Sequence, residues 1–361
     1  MKPTEPFSGT FLVSPATGLI EALRCLDEAE SKVLFVVGAD RRLIGAVTDG
    51  DIRRHLLSGK SLEDTVELLY NRDPKSINSK GFTLKRARAT LKRQGVSLLP
   101  VTSEAGEIVD IVSAEHLDSQ KGRARLRKSP VVDVPVVIMA GGKGTRLDPF
   151  TRILPKPLVP LGQKPIIEII MDRFSRHGVD EFFVTVSHRS KMIKAYFEEF
   201  KTKYQITYVD EKKPLGTAGG LRFLPSSLTG PLFVSNSDIL IEESYAKILQ
   251  FHRASQNRMT IVASVGTYSI PYGVCEIGDE GQLASIREKP NVSYLANTGM
   301  YVIEAEELSS IPKDKFFHIT DLIGVMKGQG KRLGVFPISE GAWLDIGDWE
   351  KYQSALDRFK A

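Results

Sequence analysis

The sequence predicts an α/β protein whose larger part is a doubly wound sheet, preceded by a smaller body made of an internal repeat. Two observations support this fold class. From about residue 131 onward, strand-like and helix-like segments alternate, which is typical of a doubly wound sheet. Before about residue 120, two stretches match each other at an offset of 65 residues. The 361-residue chain is long enough for two domains of ordinary size.

The repeat lies in the first third of the chain. Leu43–Thr48 aligns with Ile108–Ser113, and the upstream helix residue Ala22 aligns with Ala87. Each copy has the pattern of a helix, a strand, a polar turn and a second strand that leads into another helix. Repeated units of this kind bury their apolar faces against each other. We therefore expect residues 8–120 to form one body with pseudo-twofold symmetry.

The first copy of the repeat carries a recognisable motif. Leu43–Asp51, which reads LIGAVTDGD, resembles the core of a CBS domain. Two such copies, at about residues 8–62 and 70–120, would form the tandem CBS pair that is called a Bateman module. The resemblance implies that the pair binds an adenine nucleotide and regulates the rest of the protein or its assembly into a homo-oligomer.

Two residues of the first copy match the ligand positions of that family. The resemblance implies that Thr48 and Asp51 bind the ribose of the nucleotide, whereas the second copy has Ser113 but His116 in place of the acid. A purely structural interpretation is also open. A threonine followed three residues later by an aspartate has the pattern of a helix capping box.

Residues 121–131 are predicted to be a basic linker. The run Lys121–Lys128 contains no aromatic residues between its basic ones, which argues against a nucleic-acid site. The whole chain has 49 basic and 44 acidic residues, so its net charge of +5 is a mild excess. We expect no nucleic-acid partner.

The sequence also predicts a cytoplasmic protein without a membrane partner. The N-terminus lacks the charged and apolar regions of a secretion signal, and no apolar run approaches the roughly 20 residues of a membrane span. Cys25 and Cys275 lie far apart in apolar surroundings, which predicts reduced, buried thiols.

The elements of the larger part follow one another with βα spacing. The predicted strands are Val134–Met139, Glu181–Val186, Gln205–Val209, Leu232–Val234 and Met259–Val265. The predicted helices between the early strands are Pro165–Arg176 and Lys191–Lys201. Ligands of such sheets bind outside the carboxyl ends of the strands.

A glycine loop, here residues 140–145, follows the first of these strands. It consists of Ala140, Gly141, Gly142, Lys143, Gly144 and Thr145. Glycines let backbone N–H groups approach an anion closely, so the loop predicts a phosphate cradle. The spacing fits neither a Walker A motif nor a complete dinucleotide-binding fingerprint.

The continuation of the loop identifies a family. The runs RLDPFT from Arg146 and LPKPLVP from Leu154 resemble the signature of the sugar-1-phosphate nucleotidyltransferases. Further matches follow in the family's order, at Leu215–Gly220, Asn236–Asp238, Tyr272–Val274, Glu288–Pro290, Asn297–Tyr301 and Trp343–Gly347. The resemblance implies a Rossmann-like, doubly wound mixed sheet over residues 132–361. It also implies that a sugar 1-phosphate attacks the α-phosphorus of a nucleoside triphosphate and releases pyrophosphate.

The resemblance assigns roles to charged residues. Asp238 and Asp345 would hold Mg²⁺, a hard ion that favours carboxylate oxygens and water. Arg146 and Lys156 would neutralise the triphosphate, because transfer of this kind depends on positioning and charge neutralisation. The glycine loop would bind the nucleotide together with Gly216 and Thr217 of the Leu215–Gly220 segment.

Glu211 occupies the position where family members read the base, five residues before Gly216. Guanine presents two adjacent donors, which a carboxylate accepts, whereas thymine and uracil present one donor beside acceptors. Glu211 therefore favours GTP. The alternative is a solvated glutamate within the charged stretch Asp210–Lys213.

Four residues are expected on the sugar-phosphate side. By the family match, Lys289 contacts the sugar phosphate and Glu288 a sugar hydroxyl. Asn297, with a donor and an acceptor, suits a hydroxyl or an N-acetyl group, and Thr298 follows it.

The fusion resembles bacterial guanylyltransferases that activate glucosamine or N-acetylglucosamine 1-phosphate for surface glycans of the legionaminic acid type. Because the chain ends at Ala361, we expect no β-helix for acetyl transfer, and mannose 1-phosphate is less favoured. Guanylyl transfer to mannose 1-phosphate and thymidylyl or uridylyl transfer to glucose 1-phosphate stay open. A further alternative is a non-catalytic nucleotide sensor that acts through the CBS pair.

Overall fold

The computed structural model describes residues 11–29, 31–94, 96–113, 132–142, 144–200 and 203–360. The predicted linker at 121–131, His116 and Lys143 lie outside the described residues. The chain divides into two compact units. The first consists of Met1–Arg127, Val265–Leu295 and Ser339–Gly341, and the second consists of Lys128–Ser264, Ala296–Ile338 and Ala342–Ala361.

The first unit contains the internal repeat. Its strands are β1 (Leu12–Val13), β2 (Val33–Val37), β3 (Leu43–Thr48), β4 (Ile77–Asn78), β5 (Leu98–Thr102) and β6 (Ile108–Ser113). Its helices are α1 (Leu19–Glu28), α2 (Asp49–Leu57) and α3 (Leu84–Gln94). Strands β1 to β3 form one sheet and β4 to β6 another, and in each sheet the first pair is parallel and the second antiparallel.

The two copies agree in detail. Each strand of the second sheet begins 65 residues after its counterpart, and both antiparallel pairs carry an irregularity at the equivalent place, at Val36/Val37 and at Val101/Thr102. Buried Ala22 and Leu26 of α1 correspond to buried Ala87 and Leu91 of α3. The repeat that the sequence predicts is therefore present in the structure.

The remaining elements follow after residue 131. The strands are β7 (Val136–Met139), β8 (Pro160–Leu161), β9 (Lys164–Pro165), β10 (Glu181–Val186), β11 (Gln205–Asp210), β12 (Pro231–Asn236), β13 (Ile239–Ile241), β14 (Met259–Ser269), β15 (Val274–Ile277), β16 (Leu283–Arg287), β17 (Asn291–Glu304), β18 (Leu333–Ile338) and β19 (Trp343–Asp345). The helices are α4 (Ile166–Ser175), α5 (Ser190–Glu199), α6 (Tyr245–Ala254), α7 (Ile319–Gly328) and α8 (Trp349–Lys360).

A seven-stranded sheet in the order β11-β10-β7-β12-β17-β14-β18 organises these elements. Strands β11, β10, β7 and β12 pair in parallel, whereas β17 is antiparallel to β12. The sheet is thus mixed, and the predicted α/β fold class is confirmed. From β7 the chain moves outward through β10 to β11 and then returns to β12 on the other side of β7. The carboxyl ends of β7 and β12 therefore flank a topological switch point, where open α/β sheets bind ligands.

Both faces of this sheet are covered. Alternate residues of β7 enter different core clusters, because successive side chains of a strand point to opposite faces: Val136 and Ile138 pack on one side, and Val137 packs on the other. On the first side, the ring of Phe174 in α4 stacks on Tyr245 at 4.2 Å between centroids. This rigid core fixes the strand ends that carry the candidate site.

The expectation of two buried thiols is wrong for Cys275. This residue is exposed, because it lies on the two-stranded ladder of β15 and β16, most of whose side chains are exposed. Cys25 is half-buried in α1, and burial raises the pKa of its thiol.

Candidate active site

The glycine loop leaves the sheet at the carboxyl end of β7. Ala140 is buried, and its N–H donates to the carbonyl of Thr185 at 2.9 Å. Gly142 has open space beside it, since no described atom lies within 4 Å of where a Cβ would stand. Thr145 begins a short 3-10 turn and is exposed. The loop therefore presents an open backbone surface at the switch point.

Gly144 joins the glycine loop to the segment around Lys156. It adopts the left-handed φ of 71°, and a Cβ there would lie 2.7 Å from Cβ of Lys156 and 3.0 Å from Cγ2 of Thr151. Only glycine fits such a contact in this conformation. The glycine loop therefore packs against the side chain of Lys156.

Lys156 pairs with Asp238, which follows β12. The Nζ of Lys156 contacts Oδ2 of Asp238, and only about a tenth of each side chain is exposed, 10% and 13%. Both charges are largely withdrawn from water, so each depends on the other for compensation. Arg146, by contrast, is exposed at the end of the loop.

Asp345 lies next to Asp238 because β13 and β19 pair in antiparallel fashion. Ile239 stands opposite Asp345, and the N–H of Ile346 donates to the carbonyl of Asp238 at 2.8 Å. A Cβ on Gly347 would be 2.7 Å from Oδ1 of Asp345 and 3.6 Å from Oδ2 of Asp238. The two carboxylates thus face one small region.

This region suits a hard divalent cation. The described residues contain no group of three or more His, Cys, Asp or Glu side chains that could hold a metal. Two carboxylates beside an open loop nevertheless match the way Mg²⁺ is bound, through one or two carboxylates, waters and substrate phosphates. In the structure each carboxylate is paired with a lysine, Asp238 with Lys156 and Asp345 with Lys351. Because two carboxylates are available beside the loop, the residues present fit Mg²⁺.

Glu211 lies between two glycine segments. A Cβ on Gly141 would be 2.8 Å from Oε1 of Glu211, and a Cβ on Gly220 would be 2.4 Å from the same atom. The N–H of Leu215 donates to Oε2 at 3.3 Å. Burial raises the pKa of Glu211, and the hydrogen bonds from Leu215 and Thr185 oppose that rise in part. Glu211 is therefore held at the edge of the glycine loop, unlike a freely solvated glutamate.

The Gly216–Thr217 segment is anchored to the chain before α7. Gly216 has a φ of 82°, and a Cβ there would be 2.6 Å from the carbonyl oxygen of Phe317. The hydroxyl of Thr217 accepts the N–H of Ile319 at 2.9 Å, which caps α7. These contacts give both residues a structural role in fixing the loop that follows Glu211.

Asn297 and Thr298 lie on β17, which neighbours β12. Asn297 donates to the hydroxyl of Tyr301 at 2.8 Å, and its side-chain oxygen accepts the N–H of Gly299. Thr298 is 2% exposed and donates to the carbonyl of Val262 at 2.8 Å. Asn297 is exposed, whereas Thr298 is buried and its hydroxyl is already bonded within the sheet.

Glu288 and Lys289 belong to the first unit, whereas Asn297 and Thr298 belong to the second. Glu288 and Lys289 come directly after β16, and both are exposed. Lys289 has a left-handed φ of 43°. Of the predicted site residues, the second unit brings together the glycine loop, Lys156, the two aspartates and Glu211.

Thr48 and Asp51 form the capping box that the sequence left open as an alternative. The hydroxyl of Thr48 accepts the N–H of Asp51 at 3.1 Å and donates to its Oδ2 at 2.6 Å. Oδ2 of Asp51 also accepts the N–H of Thr48, and Oδ1 is paired with Arg54. Both side chains thus stabilise the first turn of α2.

Sequence reasoning missed two residues of this region. Lys351, at the start of α8, pairs with Asp345 and lies 3.6 Å from Asp348. Asn236, at the end of β12, lies against Gly299, where a Cβ would be 2.4 Å from its Nδ2. Asn236 stands within a recognised motif, so its place beside Asp238 was a usable signal. Lys351 gave none, because nothing in its local pattern distinguishes it from a solvated helix lysine.

Both parts of the chain are similar to known protein families. The profile of the family described as "Nucleotidyl transferase" matches residues 135–360, and that of the family described as "CBS domain" matches residues 8–58. In the described residues, no helix is both long and apolar enough to cross a membrane.

Two relatives with curated descriptions illustrate the similarity. The chain is 31% identical over 243 residues to "UTP--glucose-1-phosphate uridylyltransferase" of Synechocystis sp., which covers 61% of this chain and 62% of the relative. It is 31% identical over 234 residues to "Mannose-1-phosphate guanyltransferase" of Saccharomyces cerevisiae, which covers 60% and 62%. The chain thus spans about three fifths of the length of these relatives.

A solved structure shares the fold. HddC from Yersinia pseudotuberculosis matches with a TM-score of 0.50 at 24% identity, over 63% of this chain and 99% of that one. At this identity the likeness shows the architecture alone.

Proposed function

The chain belongs to the nucleotidyl transferase family, and from this premise we propose that it makes a nucleotide sugar from a nucleoside triphosphate and a sugar 1-phosphate. A phosphate oxygen of the sugar 1-phosphate forms a bond to the α-phosphorus of the nucleotide. The bond from that phosphorus to the bridging oxygen breaks, and pyrophosphate leaves with the electron pair. No covalent enzyme intermediate is needed.

One observation carries the proposal. At the switch point of the sheet, the glycine loop, the Lys156–Asp238 pair, Asp345 and Glu211 meet within the second unit. An anion cradle, a fixed cation, two carboxylates and a separate hydrogen-bonding carboxylate are the parts that such a transfer requires. A binding module without chemistry would not require the carboxylate pair.

The chain's own groups perform the charge neutralisation. The N–H groups of the glycine loop receive the triphosphate, and Arg146 at its exposed end supplies a planar fork for phosphate oxygens. Lys156 is largely buried, so its charge acts at a fixed place. Electrostatic stabilisation is strong where donors are preorganised and water is excluded.

Asp238 and Asp345 would hold Mg²⁺, which when bound neutralises phosphate oxygens and orients the leaving group. Lys156, which is paired with Asp238, would supply a positive charge for the phosphates beside them.

On the sugar side, we assign Asn297 to a sugar hydroxyl or an N-acetyl group, since it is exposed on the strand next to β12 and its amide offers a donor and an acceptor. Thr298 contributes by fixing this strand through its bond to Val262. From the family match, Lys289 stays assigned to the sugar phosphate and Glu288 to a sugar hydroxyl.

For the base, we propose guanine. The position of Glu211 between Gly141 and Gly220 supports a role at the edge of the nucleotide site. An ionised carboxylate there accepts from both N1–H and the exocyclic amine of guanine. Gly216 and Thr217 fix the loop on which this recognition depends.

A substitution at Gly220 tests the placement of this carboxylate. In Gly220→Ala, the new Cβ would lie 2.4 Å from Oε1 of Glu211 and 3.2 Å from Cβ of Thr185, so the carboxylate must move. We expect kcat/KM for GTP to fall by between about 10- and 100-fold, the cost of a small misplacement. Gly324→Ala in α7, where a Cβ has open space, is the control. Equal activity of both variants would contradict the assignment of Glu211.

For the sugar, we propose glucosamine or N-acetylglucosamine 1-phosphate, destined for a bacterial surface glycan of the legionaminic acid type. The similarity to the two relatives named above favours two alternatives, guanylyl transfer to mannose 1-phosphate and uridylyl transfer to glucose 1-phosphate. These candidates share the transfer chemistry and differ in the base and sugar contacts alone.

A pyrophosphate-release screen tests the proposal. Four nucleoside triphosphates are each offered with the 1-phosphates of glucose, mannose, glucosamine and N-acetylglucosamine, in the presence of Mg²⁺. We expect release with GTP and an amino sugar 1-phosphate. No release with any combination would support the alternative of a non-catalytic sensor.

For the rest of the chain, we propose a CBS pair at 8–120, a linker at 121–131 and the catalytic domain at 132–361. The match to the CBS family over residues 8–58 supports this division. We further propose a cytoplasmic homo-oligomer that an adenine nucleotide regulates through Thr48 and Asp51.

A substitution in the capping box tests whether Thr48 also binds the nucleotide. Thr48→Ala removes the hydroxyl that accepts the N–H of Asp51, so we expect a loss of about 1 kcal/mol in the free energy of unfolding of the first unit. Thermal unfolding with and without an adenine nucleotide measures it. If the nucleotide stabilises the wild type and not the variant, Thr48 also binds ligand. No loss of stability would contradict the capping role.

A further inference from the structure

Arg189 connects the second crossover of the sheet to the turn that follows the glycine loop. It lies between β10 and α5, and its guanidinium donates to two main-chain carbonyls. Nη1 bonds to the carbonyl of Thr151 at 3.0 Å, and Nη2 bonds to that of Arg152 at 2.6 Å. A planar fork can bond two neighbouring acceptors at once, whereas an ammonium cannot match both in the same way.

The backbone of Arg189 is in a costly conformation. Its φ of 55° and ψ of 33° are left-handed, a region that residues with a side chain seldom adopt. Glycine or asparagine would fit this position with less strain. Such outliers persist where surrounding contacts enforce them, and they concentrate near functional sites. Here the enforcing contacts of the side chain are the two bonds to the turn.

The turn held by Arg189 supports the glycine loop. Thr151 is 6% exposed, and its Cγ2 would lie 3.0 Å from a Cβ on Gly144. The same position on Gly144 would be 2.7 Å from Cβ of Lys156. Arg189 therefore bonds to the main chain of Thr151. The side chain of Thr151 packs against Gly144 of the glycine loop, as does the side chain of Lys156.

We propose that Arg189 is a positioning residue for the nucleotide. By holding the carbonyls of Thr151 and Arg152, it fixes Thr151 beneath Gly144 and so sets the position of the triphosphate cradle. This inference rests on the proposed function. We assign Arg189 no contact with either substrate, since its guanidinium is bonded to the turn.

The test separates positioning from stability. Arg189→Gly removes the guanidinium and also relieves the left-handed strain, so we expect an unfolding temperature at or above that of the wild type. We expect the Kd and KM for Mg²⁺-GTP to rise by between about 10- and 100-fold. The KM for the sugar 1-phosphate should stay unchanged, and Arg189→Lys should restore part of the loss. Gln256→Gly, which relieves a similar φ of 50° after α6, is the control and should bind nucleotide as the wild type does.

The outcomes distinguish this inference from the proposed function. If the wild type binds no nucleoside triphosphate, the proposed function fails. If the wild type binds and both Arg189→Gly and Arg189→Asn bind equally well, the positioning role is refuted. A fall in stability without a change in nucleotide affinity would likewise reduce Arg189 to a structural residue.

Discussion

Replacing Asp238 by asparagine is expected to lower kcat/KM on the order of 10³-fold. The change removes one of two carboxylates that face the cation region and leaves the other, Asp345, alone. A divalent cation contributes several kcal/mol to stabilising the charge of the transition state, and a neutral amide binds Mg²⁺ poorly. The measurement is steady-state pyrophosphate release as a function of Mg²⁺ concentration.

Asparagine is preferred to alanine for this test. Alanine would leave the buried ammonium of Lys156 without its partner, at a cost of about 3–5 kcal/mol, and would confuse loss of fold with loss of chemistry. The amide of asparagine still offers Lys156 an acceptor. Asp133→Asn, at an exposed pair with Arg253, is the control. Undiminished Mg²⁺-dependent turnover in Asp238→Asn would refute the metal assignment.

Replacing Glu211 by glutamine is expected to lower the preference for GTP over dTTP or UTP by about 10²-fold. Glutamine presents one donor and one acceptor, which complements the donor and neighbouring acceptor of thymine and uracil. The carboxylate of the wild type accepts from two donors. A base that leaves one of its oxygens without a donor is bound much more weakly, because an unpaired buried polar group is costly. Competition between the nucleotides for one sugar 1-phosphate measures the ratio of their kcat/KM values.

The pH dependence of this preference is a second signature. Because burial raises the pKa of Glu211, its carboxylate is protonated as pH falls through a value above that of an ordinary glutamate. The preference of the wild type for GTP should therefore weaken toward acidic pH, whereas that of Glu211→Gln should stay flat. Glu199→Gln, at an exposed position of α5, is the control. A preference for GTP that survives in Glu211→Gln would show that other groups read the base.

The sheet was predictable because its strands carry strong local signals. Glu181–Val186 was predicted with the bounds that the structure has, and Val134–Met139 was only two residues too long at its start. Buried parallel strands read as short continuous apolar runs, which composition reveals without knowledge of tertiary contacts. The glycine loop follows such a run, so its place at a strand end was also predictable.

The internal geometry of the site was not predictable. Glu211 meets Gly141 and Gly220 through three separate segments, and the sequence left open whether this glutamate is simply solvated. Asp238 and Asp345 come together through β13 and β19, two three-residue strands about 100 residues apart. Strands this short have almost no pattern of their own, because their pairing depends on tertiary contacts.

The structure also shows local hydrogen bonds that the sequence left open. Thr48 and Asp51 fit both a ribose site and a capping box, and the bonds between them form the capping box, while the ribose site stays a proposal. Thr298 stands in a recognised motif, yet its hydroxyl already donates a hydrogen bond to the carbonyl of Val262. A motif identifies residues that belong together, whereas the structure shows which of their groups are already bonded.

The identity of the nucleotide product tests the central claim most directly. The full chain is incubated with Mg²⁺, GTP and N-acetylglucosamine 1-phosphate, with glucosamine and mannose 1-phosphates in parallel, and the products are identified by mass spectrometry. The geometry of the site predicts a GDP-sugar formed in equal amount with pyrophosphate, and its loss in Asp238→Asn. Formation of GDP with inorganic phosphate, or no product with any sugar 1-phosphate and any nucleoside triphosphate, would contradict it.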